Sequence, residues 1–121
     1  MKNNKNYPEK RRHFRLEKNL PIKIKGEEFD IVTETKNICC AGAYCKVDRY
    51  VAPFTKVKTT ILLSPTKDES KCINCKGVVV RVEKLNNILE PQYNIAIYFN
   101  EISKMNILKI SRFVKNHPPS K

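Results

Sequence analysis

The sequence predicts an all-β fold, six antiparallel strands in a barrel or a sandwich with one C-terminal helix. Three observations carry that expectation. Short runs of alternating apolar and polar residues recur between residues 20 and 99, Pro, Asn and Gly fall between them, and helical periodicity appears only at the end. Six short strands at close spacing suit a closed barrel or a sandwich, and a single helix after them buries its stripe against an open end or a face. A chain of 121 residues fits one domain with a modest core. The expected division is a leader over residues 1–9, the barrel domain with its helix over 10–116, and a tail over 117–121.

Met1 to Glu9 is rich in Lys and Asn, with Pro8 its only stiff point, and reads as poorly ordered. Leu20-Pro21-Ile22-Lys23-Ile24-Lys25 alternates with period two, and Pro21 suits an edge or a strand's first residues. Gly26-Glu27-Glu28 reads as a tight turn. Phe29 to Asn37 has strand composition, Ala43 to Val47 is a third strand, and Lys56 to Leu63 is a fourth bracketed by Pro53 and Pro65. In that fourth strand Val57, Thr59 and Ile61 share one face, Lys58, Thr60 and Leu62 the other. Ser64 to Ser70 is a polar loop. Cys72 to Glu83 holds the strongest β-forming run, Gly77-Val78-Val79-Val80-Arg81-Val82, and Tyr93 to Phe99 alternates again after a polar loop with Asn86-Asn87 and Pro91. Ser103 is a helix N-cap, and Met105, Ile107, Leu108, Ile110, Phe113 and Val114 make a broad apolar stripe over a helix at 103–116, stopped by Pro118-Pro119. Its expected role is a lid on the barrel rather than a dimerising surface.

Lys plus Arg is 24 against 12 Asp plus Glu, a formal net charge of +12. That excess calls for acidic partners: nucleotides, nucleic acid, an anionic membrane or an acidic protein surface. No stretch approaches the roughly 20 apolar residues of a membrane span, and the polar start has no apolar run behind it. The chain is therefore expected in the cytoplasm, its five cysteines reduced. Cys72-Ile-Asn-Cys75 has zinc-like spacing, and Cys39, Cys40 and Cys45 complete a thiolate site on paper. Side chains three apart on a strand point to opposite faces, so free thiols and no metal are expected. There is no Gly-rich phosphate loop and no G-x-S-x-G, and His13 and His117 lie at opposite ends without a nucleophile or carboxylate partner. Catalysis has no candidate residue.

Two stretches carry recognition chemistry. In Lys10-Arg11-Arg12-His13-Phe14-Arg15, Arg11 and Arg15 stand four apart, and a guanidinium forks onto phosphate oxygens or onto the O6/N7 edge of guanine. One small ligand, a guanine nucleotide, offers both; a solvated basic tail is the plainer reading. Between strands two and three, Asn37-Ile38-Cys39-Cys40-Ala41-Gly42 offers the Asn37 amide, the Cys39 thiol two residues on, and a glycine able to take positive φ or to lie close to a ligand. Alternation lets Asn37 and Cys39 point the same way. Read alone, this is a turn with a glycine.

Together, Arg11-x-x-x-Arg15 and Asn37-x-Cys39-x-x-Gly42 resemble the PilZ family signature, R-x-x-x-R followed by [D/N]-x-S-x-x-G. The Gly77–Val82 run, the Tyr93–Phe99 run and the terminal helix are similar to the later part of that family in order and spacing. The resemblance implies a six-stranded barrel that binds the second messenger cyclic di-GMP. Arg11 and Arg15 would then contact phosphate and guanine edges, with Lys10 or Arg12 adding charge. Asn37 and Cys39 would meet the base or the ribose–phosphate side, and Gly42 would permit close approach. Arg81, in a position where relatives stack a large side chain on guanine, is a further contact or simply an outward residue beside Glu83. Cys39 replaces the family's serine, and one weakened neutral hydrogen bond costs about 0.5–1.5 kcal/mol.

The implied function is a stand-alone, non-enzymatic receptor in which the ligand orders Lys10 to Arg15 and alters the surface shown to a downstream protein. One rival is a barrel that has lost its ligand and serves as a protein-interaction module, with Cys39 marking the loss. The other is a small basic barrel binding RNA or single-stranded DNA through Phe14, Tyr44, Tyr50 or Tyr98; aromatics at 8% with no ladder argue against nucleic acid.

Overall fold

The computed structural model describes residues 15–64, 71–86 and 89–116. Within them lie strands β1 (Pro21–Lys25), β2 (Asp30–Cys39), β3 (Gly42–Val47), β4 (Lys56–Leu62), β5 (Cys72–Lys84) and β6 (Tyr93–Glu101), followed by helix α1 (Lys104–Lys115). All neighbours are antiparallel, and the strands close in the order β1-β2-β3-β6-β5-β4. Closure leaves no free edge, so the fourth-strand alternation becomes an inside and an outside: Val57, Thr59 and Ile61 are buried while Lys58 and Leu62 are exposed.

Ile22, Ile24, Ile38, Ile61, Ile73, Val79 and Ile95 fill the interior with essentially no solvent contact. Burial of each such side chain stabilises the fold by roughly 1.5–3 kcal/mol. Gly77 leaves room for this packing, because a Cβ there would lie 2.6 Å from Ile97 Cγ2.

The helix packs on β2 and β5, with Ile110 fully buried and Phe113 and Val114 partly so. Ser103 caps it, its hydroxyl accepting from the Asn106 amide at 3.1 Å. The apolar stripe is narrower than the sequence predicts. Met105 and Leu108 stand 62% and 48% exposed, because at about 100° per residue they rotate away from the Ile107–Ile110–Val114 face.

A larger difference concerns the second recognition stretch. It does not form a loop between strands: Asn37, Ile38 and Cys39 belong to β2, Gly42 opens β3, and only Cys40 and Ala41 turn. Cys39 pairs with Gly42 and Ile38 with Ala43, so the ladder runs up to a two-residue hairpin turn. Burial of Ile38 and Cys39 in the barrel wall prevails over the turn tendency of Asn37.

Candidate functional site

The segment before β1 brings the first stretch to the second. Between Thr35 and Asn37 the β2–β3 register shifts, and there β2 accepts a new partner on its other side. Leu16 and Ile38 exchange both backbone bonds, at 2.9 and 3.0 Å. Buried Thr35 fastens the next few residues: its hydroxyl donates to the Lys18 carbonyl at 2.7 Å and accepts from the Leu20 amide at 3.0 Å. Asn19 Nδ2 adds a bond to the Thr35 carbonyl at 2.8 Å. Leu16 and Leu20 point into the core and fix the register.

These anchors set Arg15 over β2. Its Nη1 donates to Asn37 Oδ1 at 2.9 Å, a charge-assisted bond between residues 22 apart in sequence. The two signature stretches therefore meet through their nearest members. Arg11 and Arg12, with Lys10, lie outside the described residues.

Cys39 is only 2% exposed, and its sulfur accepts the Ala41 amide at 3.4 Å. In this state the thiol supports the hairpin turn from within. Gly42 has no positive φ. Its requirement for glycine comes from β6, because a Cβ would run into the Ile97 carbonyl oxygen.

Asn37 opens a row across the outer wall: it pairs with Tyr44, Tyr44 with Ala96, and Ala96 with Arg81. The register shift between Val79 and Arg81 sets Arg81 on the outside, 65% exposed, with Nε 4.0 Å from Glu83 Oε2. Small Ala96 leaves the surface low between Tyr44 and Arg81. The Tyr44 hydroxyl donates to Glu83 Oε1 at 2.5 Å, and Lys36 Nζ sits 5.8 Å from the Tyr44 ring centre. The bond to Glu83, helped by partial burial, raises the Tyr44 pKa above its ordinary value. Beside this row Asn94 is 6% exposed, its Oδ1 buried without a hydrogen-bond partner among the described residues. On the inner side, burial pushes the Cys45 thiol up to about 12.

Sequence reasoning did not place Tyr44 or Glu83 in the nucleotide site: Tyr44 entered only as a stacking residue of the nucleic-acid rival, and Glu83 only as the neighbour of Arg81. Tyr44 had a signal: counting outward from the Cys40-Ala41 turn pairs residue 37 with residue 44. Glu83 had none, because its place depends on the Val79/Arg81 shift in a strand 39 residues away from Tyr44.

Comparison with known proteins gives the class. Residues 9–116 match the PilZ domain, and the chain belongs to the PilZ domain family. No curated protein matches it at a significant level. Among solved structures the fold is similar to the PilZ domain of YcgR from Escherichia coli, solved with c-di-GMP, at TM-score 0.70 and 8% identity, covering 90% of this chain and 92% of that one. It is similar also to the Bacillus subtilis inhibitor of motility MotI/DgrA at TM-score 0.74 and 20% identity, covering 87% of this chain and 49% of that one. K. pneumonia MrkH in its apo state matches at TM-score 0.73 and 15% identity, covering 93% and 52%. The chain thus spans about half the length of MotI and MrkH. Among the described residues, no helix is long and apolar enough to cross a membrane.

Proposed function

We propose that this chain is a non-enzymatic receptor for cyclic di-GMP, with its ligand held between the Arg11–Arg15 segment and the outer wall at Asn37. The observation that carries the reading is the Arg15–Asn37 hydrogen bond, which joins the two signature stretches across one exposed surface. Family membership and the c-di-GMP held by the YcgR PilZ domain support the choice of ligand.

In the free chain Arg15 rests on Asn37. An incoming guanine presents O6 and N7 to that guanidinium and takes the place of the Asn37 carbonyl oxygen. The Asn37 amide is then released to the base edge. Arg11 supplies the phosphate contacts, with Lys10 or Arg12 adding charge. Arg81 offers its guanidinium plane for stacking, contributing about 1 kcal/mol where partly desolvated. Cys39 acts from beneath by holding the turn, and Gly42 keeps the wall close to β6. Closure of the arginine segment over the ligand changes the surface offered to a downstream protein.

Isothermal titration with cyclic di-GMP at about 150 mM salt tests this, with GTP and a short single-stranded oligonucleotide as controls. Saturable heat with cyclic di-GMP alone is the expected result. Absence of binding, or equal binding of all three, defeats the reading and turns attention to the barrel as a ligand-free interaction module.

A further inference from the structure

The outer wall of β1, β4 and β5 carries a feature that the ligand site does not use. Lys25 pairs with Lys58, and Lys58 with Lys76, so three lysines stand directly opposite one another on adjacent strands. Neighbouring strands lie about 4.8 Å apart, and like charges directly opposite destabilise a sheet. Lys56 adds a fourth ammonium, and all four line a cleft of about 460 Å³ together with Glu27 and Glu101. Lys76 reaches Glu101 at 3.6 Å, whereas Lys25, Lys56 and Lys58 form no ion pair among the described residues. The row is bounded, because Asp30 pairs with Lys25 at one end and Glu101 with Lys76 at the other.

A second oddity adjoins it. Phe54, two residues before Lys56, is 79% exposed and has φ +72, a conformation rare for a bulky side chain. Its amide is fixed to the Val79 carbonyl at 2.6 Å. Exposed Val80 follows Val79 on β5, and exposed Tyr98 pairs with Val78, which also pairs with Lys56. Backbone strain and exposed aromatic surface thus coincide beside this cluster of ammonium groups.

We propose that this surface docks a short acidic segment of a partner protein, with carboxylates on the Lys25–Lys58–Lys76 row and an apolar side chain against Phe54. The bounding carboxylates select a protein over a nucleic acid. A phosphate backbone continuing along the row meets Asp30 or Glu101 within one strand of the lysines, whereas an acidic run in a protein ends where its sequence ends. The apolar rim fits an interface that joins aromatic anchors to charge complementarity. The inference does not depend on cyclic di-GMP binding.

The test uses octaglutamate as the probe, at about 150 mM salt, with amide chemical shifts read by NMR. A twelve-residue oligothymidylate and phosphatidylserine vesicles serve as comparisons. The variant Lys25→Ser/Lys58→Ser/Lys76→Ser is set against Lys18→Ser/Lys84→Ser/Lys104→Ser, which removes the same charge from exposed positions elsewhere. We expect shifts centred on β1, β4 and β5, at least a tenfold affinity loss in the row variant and less than threefold in the other. The row variant should melt no lower than the wild type, because relief of repulsion favours its fold. Equal losses in the two variants reduce the effect to net charge and overturn the proposal. So does tighter binding of the oligonucleotide or the vesicles to the row than of octaglutamate.

Discussion

Asn37, Tyr44, Ala96 and Arg81 on one side of the barrel and Lys25, Lys58 and Lys76 on another occupy the same kind of position, one residue per strand along a register row. In the first row polar groups have partners: Arg15 on Asn37, Tyr44 on Glu83, Arg81 near Glu83. In the second, like charges face each other across the ladder, and among the described residues only Lys76 forms an ion pair, with Glu101. A ligand for the first row must exchange bonds already made, so its affinity is a difference between two sets of hydrogen bonds. A partner for the second meets an excess of positive charge, so salt and charge count dominate there.

Substitutions separate the two rows, and the largest effect is structural. Gly42→Ala forces a Cβ against the Ile97 carbonyl of β6, and should destabilise by about 3 kcal/mol, the upper part of the range for overpacking. Chemical denaturation of the variant checks this. A loss under about 1 kcal/mol means that β3 and β6 separate easily, and that the first row is not held by their close approach.

The inner side of the first row gives a pH signature. The Cys45 thiol, ordinarily at 9.0, is pushed up to about 12 by burial, so the unfolded chain loses this proton before the folded one does. Its contribution is intact below pH 9 and is lost as pH rises toward 12, with a slope of at most about 1.4 kcal/mol per pH unit. Stability measured from about pH 8 to about pH 11 should fall less steeply in Cys45→Ala than in the wild type. Parallel slopes in the two would place the thiol in contact with water.

Cys39→Ser sharpens the account of the turn. A hydroxyl accepts the Ala41 amide better than sulfur does, and one neutral hydrogen bond is worth about 0.5–1.5 kcal/mol. Stability should therefore rise by about 0.5–1.5 kcal/mol, read by chemical denaturation. Unchanged stability would mean that the thiol already holds the turn as well as a hydroxyl does. The smallest effect belongs to the second row: Lys58→Thr, which removes the middle charge, should raise stability by about 0.2–1 kcal/mol. A lower melting temperature would mean that the three ammonium groups avoid one another by extending into solvent.

The strands were legible because they alternate and the loops between them carry Pro, Asn and polar runs, whereas closure into a barrel followed from the family resemblance; alternation in β4 separated the two faces that closure makes inner and outer. The ends of β2 and the narrow stripe of α1 were not legible. Whether Cys39 lies in a strand depends on Gly42 across the turn, and whether Met105 is buried depends on which wall the helix meets. Arg15 and Asn37 were legible as two stretches with matching chemistry. Their contact was not, because it rests on Thr35 and Leu16 holding an irregular segment against β2, a set of backbone bonds without sequence period. The lysine row was hidden for the same reason: Lys25, Lys58 and Lys76 are unremarkable outward residues until register aligns them.

The central claim is that the arginine segment and the β2 wall act as one site, and a double-mutant cycle measures it most directly. Cyclic di-GMP affinity would be determined by isothermal titration for the wild type, Arg15→Ala, Asn37→Ala and the double variant, with Lys5→Ala as a charge control. Loss of a hydrogen bond to a charged group is worth about 1.5–3 kcal/mol, so Arg15→Ala should weaken binding roughly tenfold to a hundredfold. The double variant should lose less than the sum of the two single losses, by at least about 0.5 kcal/mol. Strictly additive losses, or an Arg15→Ala loss no larger than that of Lys5→Ala, would contradict the account and reduce the arginine segment to diffuse attraction.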